Sequence, residues 1–420
     1  MEAIVSKSAG LDVHSESVVA SVVYEKEGEE VSETRHFGVV LRQREALCRW
    51  LLEQKVDVVV MESTGIYWRN LYRDLTAAGL RVQVVNARHV KHVPGRKTDV
   101  LDSQWLAKLG RYGLLRPSFV PSSDFQDLRL ISRYRMKLRD IEAGERNRLQ
   151  KVLIDAGIYL GNVVSDIHGV SSMRIIEGLI AGKPIEELIQ RVHGRLNPKK
   201  DALREALEGF LRDAHRIVLK AIVAHIKMLE LEIFDLERQL LLGLKPYQRE
   251  LDLLQTIAGF DVIASMTLLV EIGPDMQHFG SAKRLASWAG ICPGQNESAG
   301  KRYSGRVRKG NQMVRRILCQ VAHAVRNSKT QFQSKYQSLL IRRGVKRTVI
   351  AVAHKILRVV FAVLRDKKPY REPGIDYEAL AVARNAPRWI RALEKFGYKV
   401  ENKVTRATRI PKPLPLPSTA

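Results

Sequence analysis

The run VDVVVM at residues 56–61 limits the fold more than any other segment. Successive β-branched residues disfavour a helix, and a strand with one wet face would alternate polar and apolar residues. A continuous apolar run bounded by polar residues suits a strand buried on both faces. Such a strand needs covering layers above and below, and its neighbours in sequence supply them. Residues 41–54 have helical spacing through Leu41, Leu47, Trp50 and Leu51, and residues 66–79 read as a second helix. Residues 3–25 read as two apolar strands joined by a turn at His14–Ser17, residues 31–39 as a third, and VQVV at 82–85 as a short buried one. Asp99 to Tyr112 again has helical spacing, through Leu101, Trp105, Leu106 and Leu109. Strands followed by helix–strand alternation indicate an α/β domain with a mixed sheet over residues 1–121.

The strand signal ends near residue 122. Residues 124–156 are charged and helical. Leu219, Ile222, Ile226, Leu229, Ile233, Leu236 and Leu240 then recur at alternating spacings of three and four, a heptad seam. Two readings fit it: a helical hairpin within the chain, or a coiled coil joining two chains. Residues 122–248 are expected to form this helical, coiled-coil region, 249–370 a mainly α domain, and 371–420 a basic tail with the proline-rich, disordered end IPKPLPLPSTA.

Charge separates the two ends of the chain. The 420 residues carry a net +25. Residues 1–60 hold seven basic and eleven acidic side chains, whereas residues 279–350 hold sixteen basic and a single acid, Glu297. So lopsided a stretch points to a polyanion, with nucleic acid the leading candidate. The three scattered cysteines, Cys48, Cys292 and Cys319, lack the spacing of a disulfide framework or a zinc site. The first residues lack a basic segment followed by an apolar one, and Val349–Leu364 is interrupted by His354, Lys355 and Arg358. Neither a signal peptide nor a membrane span is expected, which suits a cytoplasmic, nucleoid-associated protein.

Four carboxylates stand at informative places. Asp12 ends the first strand, Glu62 follows VDVVVM, and Asp99 and Asp102 are three apart at the start of a helix, where they would share a face. Acids gathered at one sheet edge repel unless cations lie between them. Mg²⁺ prefers oxygen ligands, and two such ions about 4 Å apart clamp a phosphodiester displacement. Plainer roles compete: a helix cap for Asp99, a turn for Glu62, a hairpin for Asp12. Arg69, Arg73, Arg81, Arg88, Lys91, Arg96 and Lys97 lie between Glu62 and Asp102, as a phosphate-backbone site would require.

In the basic domain, two apolar helices around Ala258-Gly259-Phe260 resemble a helix–hairpin–helix, except that Asp261 stands where the second turn glycine usually lies. Next comes AGICPGQNESAGKRYSGRVRKGNQMVRRIL, 289–318, a glycine-rich basic loop entering a helix near Asn311. Such a loop can cradle phosphate with backbone amides and arginine forks. Its serines, Ser298 and Ser304, are caps or solvated residues in the plain reading and nucleophiles in the sharper one.

Taken together, GLDVHS (10–15), VVMESTGIYW (59–68), VVNARHVKHVPGRKTDVLDSQWLA (84–107), ASWAGICPGQNESAGKRYSGRVRKGN (286–311) and RTVIAVAHKIL (347–357) make the chain resemble the DEDD insertion-sequence transposases. The resemblance spans Gly10 to Tyr377. It implies an RNase H-like (RuvC-like) N-terminal domain and a C-terminal transposase domain with a nucleophilic serine. It places the family acids on Asp12, Glu62, Asp99 and Asp102, with Mg²⁺ as their ion, and the serine on Ser298 rather than Ser304. It also implies DNA as substrate, a structured RNA from the element as guide, and a homo-oligomer, dimer or tetramer. Arg96, Lys97, Lys301, Arg302, Arg306, Arg308, Lys309, Arg315 and Arg316 are the expected nucleic-acid contacts. The chain departs from the family at Ala299, where a glycine commonly follows the serine. Three rivals remain: a junction nuclease using the acids alone, a nucleic-acid-binding protein with a decayed centre, and an actin-like kinase, whose fold opens on a similar strand.

Overall fold

The computed structural model describes residues 3–63, 65–86, 90, 101–192, 194–293, 296–304, 307 and 309–396, with residues 195, 296–298 and 302–304 described by their backbone. Two compact units make up the chain: residues 1–248 with 266–281, and residues 249–265 with 282–420.

The first unit opens with β1 (Lys7–Val13), β2 (Ser17–Lys26), β3 (Glu29–Gly38), α1 (Leu41–Glu53), β4 (Val58–Glu62), α2 (Trp68–Ala77), β5 (Val82–Val85) and α3 (Asp102–Arg111). The strands form one sheet in the order β3-β2-β1-β4-β5. β1, β2 and β3 pair antiparallel, while β1–β4 and β4–β5 pair parallel, so the sheet is mixed. Glu27 and Gly28, both at positive φ, make the two-residue turn between β2 and β3.

The sheet is covered on both faces. Ala9, Leu11, Val59 and Met61 pack with Leu47, Trp50 and Leu51 of α1 and Leu71 and Leu75 of α2. The alternate residues Val58 and Val60, with Val85, pack with Trp105, Leu106 and Leu109 of α3. Val58–Met61 are therefore buried on both faces, as the apolar run predicts, while Asp57 before them is exposed.

Helices follow: α4 (Ser123–Asp155), α5 (Val170–Ile180), α6 (Ile185–Gln190), α7 (Lys200–Leu207) and α8 (Asp213–Gly243). The heptad seam lies on α8, and it is spent inside the chain. Leu219, Ile222 and Ile226 are buried with Leu149 and Leu153 of α4 and with α5–α7. Leu229 and Ile233 pack on Leu138 of α4. Polar pairs run alongside in antiparallel register: ion pairs Arg135–Glu237 at 2.5 Å and Arg146–Glu230 at 2.9 Å, and a hydrogen bond between His215 and Asp155 at 2.9 Å. Of the two readings of the seam, this is the hairpin. The spacing alone could not decide, because α4 of the same chain offers the same apolar stripe as a second copy would.

The later elements are α9 (Gln248–Gln255), α10 (Val262–Ile272), α11 (Ala282–Trp288), β6 (Asn296–Ser298), β7 (Lys301–Ser304), α12 (Gln312–Ala324), α13 (Gln331–Asp366) and α14 (Tyr377–Lys395). Gly259 turns the chain between α9 and α10 at φ 88°, and a Cβ there would lie 2.6 Å from Val325. The Asp261 carboxylate accepts a hydrogen bond from the Ala264 amide at 2.7 Å. The helix end that a helix–hairpin–helix would offer to a phosphate thus already carries a negative charge. The segment expected as a basic tail contains the helix α14, with Pro387 inside it. The proline-rich end, 410–420, lies outside the described residues. No described helix is long and apolar enough to cross a membrane.

Candidate active site

Two glycines explain how the acids of the first unit are placed. The face of the sheet that carries Ser8, Gly10 and Asp12 is covered by α3. A Cβ on Gly10 would lie 2.0 Å from the Ser103 carbonyl oxygen and 2.4 Å from the Ala107 nitrogen. A Cβ on Gly110 would lie 2.6 Å from a methyl of Val60. Backbone therefore meets backbone where α3 crosses β1, as no larger residue would permit. The buried Ser103 and Ser21 hydroxyls hydrogen-bond at 2.8 Å, and Ser8 Oγ donates to the Ala107 carbonyl, locking the helix in register. Gly10→Val is expected to destabilise the fold by on the order of 3 kcal/mol, because a helix backbone cannot yield as a side chain does. A urea midpoint equal to that of the wild type would contradict this packing.

The register of β1 against β4 pairs Leu11 with Met61, so Asp12 and Glu62 follow at the carboxyl ends of neighbouring parallel strands. By the pleat they fall on the α3 side, since Leu11 and Met61 face α1 and α2. Asp102 is the first residue of α3, the next residue before Ser103, whose carbonyl contacts the Gly10 position. Three of the four expected acids thus share one end and one face of the sheet. The Asp12 carboxylate receives the His14 Nε2 at 3.1 Å. Asp102 is exposed, and both Glu62 and Asp102 have polar partners.

Asp99 lies outside the described residues. The expectation that it shares a helical face with Asp102 lies outside the described residues with it; α3 itself begins at Asp102, and Leu101 before it is extended, with ψ 144°. The donor set of Asp12, Glu62 and Asp102 is all oxygen, the chemistry that a hard divalent cation needs. Among the described residues no three His, Cys, Asp or Glu side chains come together as a metal-holding group.

Cations gather in the same unit. Arg129 and Arg133 hold the buried Glu271, Arg133 as a fork at 2.8 and 3.0 Å. Burial pushes Arg129 down to about 10, whereas the hydrogen bonds to Glu271 hold Arg133 above its usual value. Arg69 is lowered by burial and by Arg133 and Arg73 beside it. Arg96 and Lys97 lie outside the described residues.

In the second unit, the loop expected around the serines contains a β-hairpin. β6 and β7 pair antiparallel, with Ser298 opposite Lys301. The two residues between them, Ala299 and Gly300, have φ of 48° and 76°, as a tight turn between twisted strands requires. Ala299 sits in left-handed backbone, where a residue other than glycine costs about 1 kcal/mol or more. This accounts for the preference for glycine at that position and for the failure of sequence reasoning to find the hairpin. Ser298 is the last strand residue before the turn.

The base of the loop is pinned. A Cβ on Gly310 would lie 2.4 Å from the Gly290 nitrogen, and the Asn311 amide donates to the Trp288 carbonyl at 3.2 Å. Asn311 caps α12, its Oδ1 accepting from Met313 and Val314 at 2.9 and 3.1 Å, so the helix starts where expected. Arg315 donates to the Gly290 carbonyl at 2.8 Å and so helps to hold the loop shut. Lys301 and Lys309 are exposed, Arg316 is half-buried, and Arg306 and Arg308 lie outside the described residues.

Residues 9–157 match a family model described as "Transposase", and residues 251–337 match one described as "Transposase IS116/IS110/IS902 family". The chain belongs to the IS110-type transposase family. A "Probable family 20 transposase" of Pseudomonas aeruginosa is 26% identical over 351 residues, 81% of this chain and 94% of the relative. The "Transposase for insertion sequence element IS1111A" of Coxiella burnetii is 24% identical over 326 residues, 76% of this chain and 80% of the relative. A "Pilin gene-inverting protein" of Moraxella bovis is 32% identical over 122 residues, 28% of this chain and 38% of that one. The first family match covers the sheet with its acids, and the second covers the serine hairpin. As a transposase, the protein acts on DNA.

Proposed function

We propose that this insertion-sequence transposase cuts and rejoins DNA through a transient phosphoserine. The observation that carries the proposal is the placing of Asp12, Glu62 and Asp102 at one end and one face of a mixed sheet, with a separate hairpin that ends a strand on Ser298. On this reading the first sheet is an RNase H-like, RuvC-like domain. Asp12, Glu62, Asp99 and Asp102 are the residues that would hold Mg²⁺ beside the scissile phosphate. Bound Mg²⁺ would neutralise charge developing on the phosphate oxygens.

Ser298 Oγ then attacks phosphorus. The Oγ–P bond forms, the P–O bond to the departing strand breaks, and the leaving oxygen takes a proton. Attack by another strand's hydroxyl on the phosphoserine reverses the step and frees Ser298. One phosphodiester replaces another, so rejoining needs no ATP. A protein that inverts a gene, as one relative's name states, has the same need to cut and reseal without loss. Lys301, Arg302, Arg306, Arg308, Lys309 and Arg316, with Arg96 and Lys97, would neutralise phosphates, while Arg315 steadies the loop from within.

The reading includes a structured RNA from the element as guide and a homo-oligomer. Ile217, Met228, Leu231 and Leu242 support the latter: all are exposed and fall along one stripe of α8 away from the buried seam. The test of the whole proposal is the fate of cut ends. Protein-linked DNA and rejoined strands are expected; hydrolysed ends alone would make the protein a junction nuclease.

A further inference from the structure

A second concentration of positive charge lies on α13 and α14, away from the serine hairpin in sequence. Helix α13 bends at Gly344, whose φ of 69° and ψ of 168° leave the helical region. The surrounding residues 341–347, IRRGVKR, are all exposed, and Ile341 is 97% exposed. Arg342, Arg343, Lys346 and Arg347 stand on this elbow without an acid among them.

Two lysines, one on each side of the elbow, reach a single ring. Lys335 Nζ lies 4.6 Å from the centroid of Tyr377 and Lys355 Nζ lies 5.0 Å from it. Lys355 also donates to the Tyr377 hydroxyl at 2.6 Å. Tyr377 is the first residue of α14 and is held there. Asp376 caps the helix, accepting from the amides of Glu378 and Ala379 at 3.0 Å, and receives the Ser334 hydroxyl at 2.8 Å. The ring is therefore a fixed post tied to the residue next to Lys335.

Four cations stand around Lys335. Burial above all, and then the charges of Lys355, Arg343, Arg342 and Arg384, push its pKa down. The neighbouring carboxylate of Asp376 is committed to the helix cap and to Ser334. A tyrosine face attracts an ammonium but cancels none of its charge. The fold thus gathers cations whose mutual repulsion an anion would relieve.

We propose that Lys335, Lys355, Arg342, Arg343 and Arg384 form a binding ridge for the phosphate backbone of a nucleic acid, with Tyr377 as the post that holds the two lysines together. The inference rests on the transposase reading above and adds a contact surface outside the serine loop. Lys335 and Arg343 are eight residues apart on one helix, about 12 Å along its axis. One free phosphate cannot span that length, but a polymer of phosphates can. Ammonium and guanidinium groups on phosphate carry no base readout, so the ridge binds independently of sequence.

The experiment compares the wild type, the double variant Lys335→Gln/Lys355→Gln, the charge-keeping Lys335→Arg/Lys355→Arg, and the control Lys183→Gln, whose lysine pairs with Glu187 at 3.3 Å. Binding of a short duplex DNA and of a short single-stranded RNA is measured over a salt series. Loss of two phosphate contacts should reduce the salt slope by about 1.8 with the duplex or about 1.4 with the single strand, and the polymer showing the loss is the ridge's ligand. The arginine pair and the control should keep the wild-type slope. An unchanged slope and affinity in the glutamine variant, with both polymers bound by the wild type, would overturn the ridge and leave the transposase reading standing. A wild type that binds neither polymer would overturn both. Lysine acylation of the wild type gives a readout independent of variant folding: bound nucleic acid should protect Lys335 and Lys355, and unprotected lysines at saturation would sink the proposal.

Discussion

Replacing Ser298 with alanine is expected to abolish covalent protein–DNA adducts and to slow strand rejoining by roughly 10⁴-fold or more, while DNA binding stays intact. The substitution removes one oxygen from the end of β6 and leaves the turn at Ala299 and Gly300 as it is. The loop base is pinned elsewhere, by Gly290, Gly310 and Arg315. Ser304, at the far end of β7, provides the comparison. Ser304→Ala should keep the adduct. Denaturing gels of protein with labelled DNA report both variants directly. Adducts persisting in the Ser298 variant would remove the serine from the chemistry.

Asp102→Asn is expected to lower Mg²⁺-dependent strand cleavage by about 10³-fold, the rate equivalent of several kcal/mol of lost charge stabilisation. Magnitude separates this from the plainer role of the residue. As the acid in the first turn of α3, Asp102 also favours the helix dipole, a contribution of about 0.3–1 kcal/mol. A purely structural Asp102 would therefore cost at most about 1 kcal/mol of stability and leave cleavage unchanged. The predicted signature is the reverse, with the melting curve little moved and cleavage nearly gone. Unaltered cleavage by the asparagine variant would refute the metal role.

How far the sequence carries depends on what each feature rests on. VDVVVM declared a strand buried on both faces because the unbroken apolar run Val58–Met61 has no polar face to turn to water, and β4 is that strand. The places of Asp12 and Glu62 at strand ends followed from the same periodicity. Gly10 gave no signal of its own, since its role depends on α3 returning to cross β1 some 90 residues later, at Ser103 and Ala107. Leu101 fits the apolar spacing of a helix yet is extended, so α3 starts at Asp102. The hairpin at Ser298 escaped notice because its turn places an alanine at positive φ, against that residue's preference. The heptad seam was legible as a seam, but spacing cannot name the partner, and the partner is α4 of the same chain. The helix α14 lies in the segment expected as a basic tail, although Asp376 before it is an ordinary helix cap.

The central claim, that this transposase joins itself to DNA through one serine while it exchanges strands, is tested most directly by mapping the bond. The wild-type protein is incubated with Mg²⁺ and a nicked element end that traps the cut strand, then digested and sequenced by mass spectrometry. A single nucleotide-bearing peptide, modified at Ser298 and absent when Mg²⁺ is chelated, is the predicted result. Cut DNA with free hydrolysed ends and no modified peptide, or a modification at Ser304, would contradict it.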